Sequence, residues 1–146
     1  MLITFALLSF VAGPVGYLAI SGLVGIESIG VPVPGATALI TGGVLAHTGQ
    51  LHIAIVIASA AAGAIIGDNI GYLLGRVGGR PLLERPGPLE SRRRQILSKG
   101  QPFFARHGAQ AVFFGRWISG LRIAAAWLAG INRMRWPAFL FWNALG

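Results

Sequence analysis

From Leu2 to Ile26 the sequence runs for 25 residues without a charged side chain, and the first ionisable carboxylate is Glu27. A helix in water needs a polar face, whereas a bilayer core of about 30 Å is crossed by roughly 20 apolar residues. This stretch points to a chain that folds in lipid. Composition agrees: 54% of residues are hydrophobic, 11% are charged and the mean hydropathy is +0.68, against about 25% charged in soluble domains. The first residues, Met1 to Phe5, carry no basic group. No small-residue cleavage site follows a short apolar core, so the segment reads as a retained span and not a signal peptide.

Proline and glycine divide the rest. Residues 2–26 form a first span, interrupted at Gly13-Pro14, a break that membrane helices tolerate when neighbours satisfy the freed backbone. Pro32 and Pro34 push Val31 and Val33 out of the helical region, and the apolar segment up to His47 is too short to cross. Residues 27–50 are therefore expected as a re-entrant half-helix. Residues 51–75 form a second span with Asp68 as its one formal charge. Residues 76–107 read as a polar loop holding eight of the 12 basic residues together with Pro81, Pro86, Pro88 and Pro102. Residues 109–131 return to apolar character but contain Arg116, Arg122 and the Ser119-Gly120 turn signal, and read as a second broken, re-entrant element. Residues 136–146 make about half a span, as if the chain were truncated at its C-terminus.

The basic cluster sets orientation. Net charge is +8, yet clustering beside apolar segments is what the positive-inside rule produces, without a nucleic-acid partner. It places the N-terminus and the 76–107 loop in the cytoplasm of a multi-pass protein of the plasma (inner) membrane. The two broken elements then enter from opposite faces, the geometry of inverted-repeat transporters. The expected fold is a single all-α, polytopic membrane domain over residues 1–146, with transmembrane helices and two re-entrant hairpins.

Ionised groups inside lipid cost about 2.5–3.5 kcal/mol on insertion scales and are functional candidates for that reason. Four occur here: Glu27, Asp68, Arg116 and Arg122. Glu27 lies at the mouth of the proline-rich break, either as an interfacial carboxylate or as a protonatable group facing a polar cavity. Asp68, Tyr72 and Arg76 are spaced i, i+4, i+8 on one helix face. Arg76 either reaches back to neutralise Asp68, or Asp68 serves as a cavity-facing proton group. Arg116 and Arg122 face different ways on an unbroken helix, and Ser119-Gly120 lets both turn to one point. Two guanidiniums suit a phosphate or carboxylate; otherwise they pair with Glu27 and Asp68. The free amides of the half-helix starting near Gly35 also favour an anion.

Gly63, Gly67, Gly71 and Gly75 recur every fourth residue, a ridge of close helix packing within the chain or, as an alternative, between copies in a homo-oligomer. Arg92-Arg93-Arg94 holds topology and touches anionic headgroups. His47, His52 and His107 flank apolar segments and read as interfacial. The chain has no cysteine, and no nucleotide loop, nucleophile elbow or zinc-protease signature occurs. Neither an enzyme, a cofactor nor a metal is expected.

Glu27 followed by Pro32-Val33-Pro34-Gly35, then Gly42-Gly43, then Gly67-Asp68-Asn69-Ile70-Gly71-Tyr72-Leu73-Leu74-Gly75-Arg76 with Gly79, resembles the DedA family, bacterial relatives of the VTT-domain (SNARE-associated Golgi) membrane proteins. Phe104-Ala105-Arg106-His107-Gly108, Gly115-Arg116-Trp117-Ile118-Ser119-Gly120-Leu121-Arg122 and Gly130 continue the resemblance, which covers roughly residues 27–146. It implies a transporter fold in which two re-entrant hairpins meet at mid-membrane. It also implies movement of lipids between leaflets, undecaprenyl phosphate among them, and dependence on the proton-motive force. By resemblance Glu27, Arg116 and Arg122 carry over as functional positions, with Asp68 either functional or architectural. The family commonly has an acid just after its Pro-x-Pro element, where this chain has Ala36-Thr37, and Pro where it has Ser119.

The leading expectation is a proton-linked translocase of an anionic lipid. Glu27, Asp68, Arg116 and Arg122 are its transport residues, supported by Pro32, Pro34, Gly35, Tyr72, Arg76, Ser119 and Gly120. A small-cation/proton antiporter and a non-transporting membrane scaffold or inactive fragment are the alternatives. The expected partners are membrane lipids with anionic headgroups and protons.

Overall fold

The computed structural model describes residues 13–88, 90–118 and 121–146. Among these every regular element is helical: α1 (Pro14–Ile29), α2 (Gly35–His47), α3 (Ile53–Glu84), α4 (Glu90–His107), a 3₁₀ turn (Gly108–Gln110), α5 (Ala111–Trp117), α6 (Leu121–Ile131) and α7 (Trp136–Leu145). Two compact units share the chain, the first ending at Gly67 and the second running from Asp68 to Gly146, so that α3 contributes to both.

In the first unit, Pro14 opens α1 at its first turn, where a missing amide is harmless. Gly30 ends the helix at φ 116°, with its amide bonded to Glu27 O at 3.0 Å and that of Val31 to Ile26 O at 3.4 Å. Such a left-handed cap favours glycine. The next residues contain two prolines without N–H groups, so the chain closes two short turns. Val33 N bonds Val31 O at 2.8 Å and Gly35 N bonds Val33 O at 2.9 Å. The Pro34 dihedrals of −80° and 57° are those of an inverse γ-turn. This double turn lets α2 start at Gly35 and pack back on α1. Ile20, Leu45, Leu51, Val56 and Ala60 form the core, with Tyr17 and Val24 against it. Tyr17 Oη accepts the His52 amide at 2.8 Å.

The second unit is built on small residues. Ala124, Ala125, Ala126, Leu128 and Ala129 of α6 are buried with Tyr72, Phe104, Val112 and Phe139. A Cβ at Gly130 would strike the Tyr72 carbonyl, and one at Gly100 the Leu128 side chain. In lipid, where no hydrophobic drive holds helices together, close backbone approach of this kind is the main source of packing energy. Tyr72 and Phe139 stack with centroids 4.6 Å apart. Arg133, at φ 53°, closes the turn between α6 and α7, supported by the Asn132 Nδ2 bond to Leu128 O at 2.7 Å.

Several sequence expectations are revised. Within the expected first span the helix runs from Pro14 to Ile29, so Glu27 lies in its last turn and not in the proline-rich break; residues 2–12 of that expected span lie outside the described residues. In the second expected span the helix does not stop at Gly75. The helix runs on to Glu84 with one non-helical residue, Gly79 (φ 60°, ψ −163°). Residues 76–107 are mostly helix and not a loop. Pro81 falls just after the Gly79 break, in a position that needs no amide, while Pro102 is carried inside α4. There Leu97, Phe103 and Phe104 join the core of the second unit, and packing outweighs the proline. The element over 109–131 is broken as expected, into α5 and α6, with Ile118 extended between them; Ser119 and Gly120 lie outside the described residues. Residues 136–145 are helical.

The glycine ridge is occupied within the chain. In the first unit a Cβ at Gly63 would strike the Ser21 backbone and one at Gly67 the Gly25 carbonyl; in the second, one at Gly75 would strike the Trp127 carbonyl. These contacts are the intramolecular packing reading. Ile53–Pro81 is long and apolar enough to cross a membrane, 29 residues with most of its surface left uncovered by protein.

Helical glycines here divide into two kinds, and substitution separates them. Gly67→Ala places a methyl on a backbone carbonyl and is expected to lower stability in detergent by about 1–3 kcal/mol. Gly43→Ala meets nothing within 4 Å and is expected to raise stability by about 0.5–1 kcal/mol. Thermal unfolding of both variants checks the pair.

Candidate functional site

Asp68 sits near the middle of the apolar stretch Ile53–Pro81, with about 20 Å of helix on either side. Its side chain is 2% exposed. A lone carboxylate there is expensive to ionise, and the second unit supplies its counter-charge. Arg116, in the last turn of α5, donates from Nη1 to Asp68 Oδ2 and to Asn143 Oδ1, the latter at 2.9 Å. A cation in that turn also meets the negative end of the α5 peptide dipoles. Gly115, just before it, faces the Ala125 methyl closely enough that a Cβ would sit 3.1 Å away, which brings α5 onto α6. Arg122, in the first turn of α6, also lies within electrostatic reach of Asp68. Arg116 is the arginine in contact with the Asp68 carboxylate. For Arg116 the structure selects the internal ion pair over an open anion site.

Asn143, 4% exposed, completes the cluster from α7. Its Oδ1 holds Arg116, and its amide also lies against the Asp68 carboxylate. Sequence reasoning missed it, although it is the one polar residue within the apolar run from Trp136 to Leu145. Asp68, Tyr72 and Arg76 do share a face, but Arg76 does not neutralise Asp68. Arg76 Nη1 donates to Tyr72 Oη at 2.5 Å and to Met134 O at 3.3 Å, and Tyr72 Oη donates to Met134 O at 2.5 Å. Its guanidinium lies 5.9 Å from the Tyr72 ring centroid. Tyr72 and Arg76 therefore tie α3 to the turn before α7, leaving Asp68 to Arg116.

Glu27 belongs to the first unit. A Cβ at Gly35 would collide with Glu27 Oε2. The carboxylate thus lies against the first residue of α2, a helix without a side-chain cap at Pro34. The free amides of a first turn favour a negative group. The helix start that the sequence offered to a ligand anion holds the chain's own carboxylate, and Pro32, Pro34 and Gly35 make the double turn that puts it there. Among the described residues no group of three His, Cys, Asp or Glu is placed to hold a metal ion.

The sequence matches the VTT domain over residues 33–146. An uncharacterised membrane protein of Synechocystis sp. is 43% identical over 131 residues, covering 90% of this chain and 60% of the relative. One from Mycobacterium bovis is 39% identical over 145 residues, covering 97% and 66%. The DedA protein of Escherichia coli is 29% identical over 116 residues, covering 78% and 52%. The chain thus spans between half and two thirds of the length of these relatives. No solved structure matches.

Breaking a buried pair by removing one partner leaves a stranded charge and costs about 3–5 kcal/mol. Asp68→Ala and Arg116→Ala are each expected to lose about that much, and the double variant clearly less than the sum of the two. Additive losses in a double-mutant cycle would show that the two side chains do not interact.

Proposed function

The chain belongs to the VTT-domain (DedA) family of membrane proteins, and from that premise we propose that it moves an anionic, phosphate-bearing lipid between leaflets by exchanging the headgroup for Asp68 on Arg116. The observation that carries this reading is the buried Asp68–Arg116–Asn143 cluster near the middle of α3. A guanidinium waiting for substrate inside lipid needs an anion while it waits. Asp68 fills that role. Protonation of Asp68 removes its charge and leaves Arg116 held by Asn143 Oδ1, with its remaining N–H donors directed to a phosphate. Departure of the headgroup and loss of the proton restore the ion pair. One proton then accompanies one negative charge, and translocation is linked to the proton-motive force.

The lengths of the other helices support a transporter architecture. At 13 and 11 residues, α2 and α6 extend about 20 and 16 Å, short of a bilayer core. In this reading they are the re-entrant pieces of a multi-pass plasma-membrane protein, entering from opposite faces, with the basic segment from Arg76 to His107 on the cytoplasmic side. Undecaprenyl phosphate or a phospholipid is the substrate class. Glu27, at the start of α2, is the second protonatable group. The alternative of cation/proton exchange is less well supported, because Asp68 faces a guanidinium where a cation would have to bind.

Transport is measured in vesicles containing a fluorescent phosphatidic acid, as the fraction of label protected from an external reductant. Arg116→Ala is expected to slow translocation at least tenfold. Asp68→Asn, which keeps the shape but removes the charge, is expected to retain movement and lose its response to an imposed pH gradient. Wild-type transport that ignores pH, or an Arg116→Ala variant as fast as wild type, would refute the exchange mechanism.

A further inference from the structure

The cations between Arg76 and Arg106 play no part in the site, and three of the five carried by α4 fall in register along it. One side of that helix is covered by protein: Leu97 and Phe104 join the core, and Gly100 abuts Leu128 of α6. Arg92, Lys99 and Arg106 lie elsewhere on its circumference, and all three are exposed. They are seven residues apart, close to two full turns, and so form one row about 10 Å between neighbours and about 21 Å long. The acids of this unit are engaged elsewhere, Asp68 with Arg116, Glu84 with Arg80 and Glu90 with Arg94. Among the described residues no carboxylate lies in ion-pair contact with the row.

Position decides what such a row meets. The apolar stretch of α3 ends at Pro81 and α4 begins at Glu90. Even fully extended, the eight residues between them span only about 30 Å, so α4 stays within that distance of the end of the apolar stretch. Its apolar side is already covered by α6, so it has little left to insert into the acyl region. What remains is a spaced line of positive charge. We propose that the Arg92–Lys99–Arg106 row is a docking surface for the anionic lipid headgroups of the leaflet in which α3 ends. The attraction is electrostatic, about fivefold in lipid preference for each cation near the surface, and is screened by salt. It does not depend on the transport reading.

The absence of cysteine from the chain makes the test clean. Gln95 is exposed beside the row. Gln95→Cys carries a fluorophore in nanodiscs doped with headgroup-nitroxide phosphatidylglycerol or phosphatidylcholine. The anionic quencher is expected to be at least fivefold more effective at low salt, with the ratio falling towards one in about 0.5 M salt. Arg92→Gln/Lys99→Gln/Arg106→Gln is expected to remove the preference without salt. Equal quenching by the two lipids on the wild-type row, or a preference that survives the triple variant, overturns the proposal. Should the triple variant fail to enter the membrane, Lys99→Gln alone must lower the ratio, and an unchanged ratio overturns it equally.

Discussion

An ionised aspartate in the middle of an apolar helix sets the terms for the second unit. Asp68 is buried to 2% exposure, near the middle of the apolar stretch Ile53–Pro81. Its charge is bearable there only with a cation in contact and further polar groups to share it. Arg116 supplies the cation, and three consequences follow. The helix bearing Arg116 must end at that depth, which α5 does at Trp117. A second polar side chain must hold the guanidinium, which Asn143 does from α7. Arg76 must be held elsewhere, and its bonds to Tyr72 and Met134 hold it.

Small residues make this geometry reachable. Gly75 and Gly130 bring α3 and α6 together at backbone distance, and Gly115 with Ala125 does the same for α5 and α6. Larger residues at these points would move Arg116 away from Asp68. In lipid the ion pair and the glycine contacts thus reinforce each other, since tight packing also excludes the water that would screen the pair. The first unit resolves its own carboxylate differently: Glu27 is placed by the Val31–Pro34 turns against the start of α2. A guanidinium partner lies far from it in sequence for Asp68; for Glu27 the helix start is only eight residues away.

How far the sequence revealed this depended on the range of each interaction. The shared face of Asp68, Tyr72 and Arg76 was legible because helical phase is local. The partners were not, because Arg116 is 48 residues from Asp68 and Met134 is 62 from Tyr72. The ion-pair reading of Arg116 was open beside the anion-site reading, and nothing in the spacing decided between them. Residues 76–107 misled because polarity and proline are loop signals, while the fold of α4 rests on a thin stripe, Leu97, Gly100 and Phe104, packed on α6. Asn143 was visible as a polar residue in an apolar run, yet its significance came from which helix it faced. The VTT-domain match extends over most of these elements, but family membership does not itself say which arginine meets which carboxylate.

The contact between Asp68 and Arg116 is best tested in the membrane itself. Solid-state NMR on protein in bilayers, with labelled arginine guanidinium nitrogen and aspartate carboxyl carbon, reads this pair directly, because Asp68 is the chain's one aspartate. Magnetisation transfer from Arg116 to Asp68 at a separation of about 4 Å, lost in Arg116→Lys, is the result expected of a direct guanidinium–carboxylate pair. Strong transfer to lipid phosphorus from Arg116, with none to Asp68 in substrate-free bilayers of neutral pH, would contradict it.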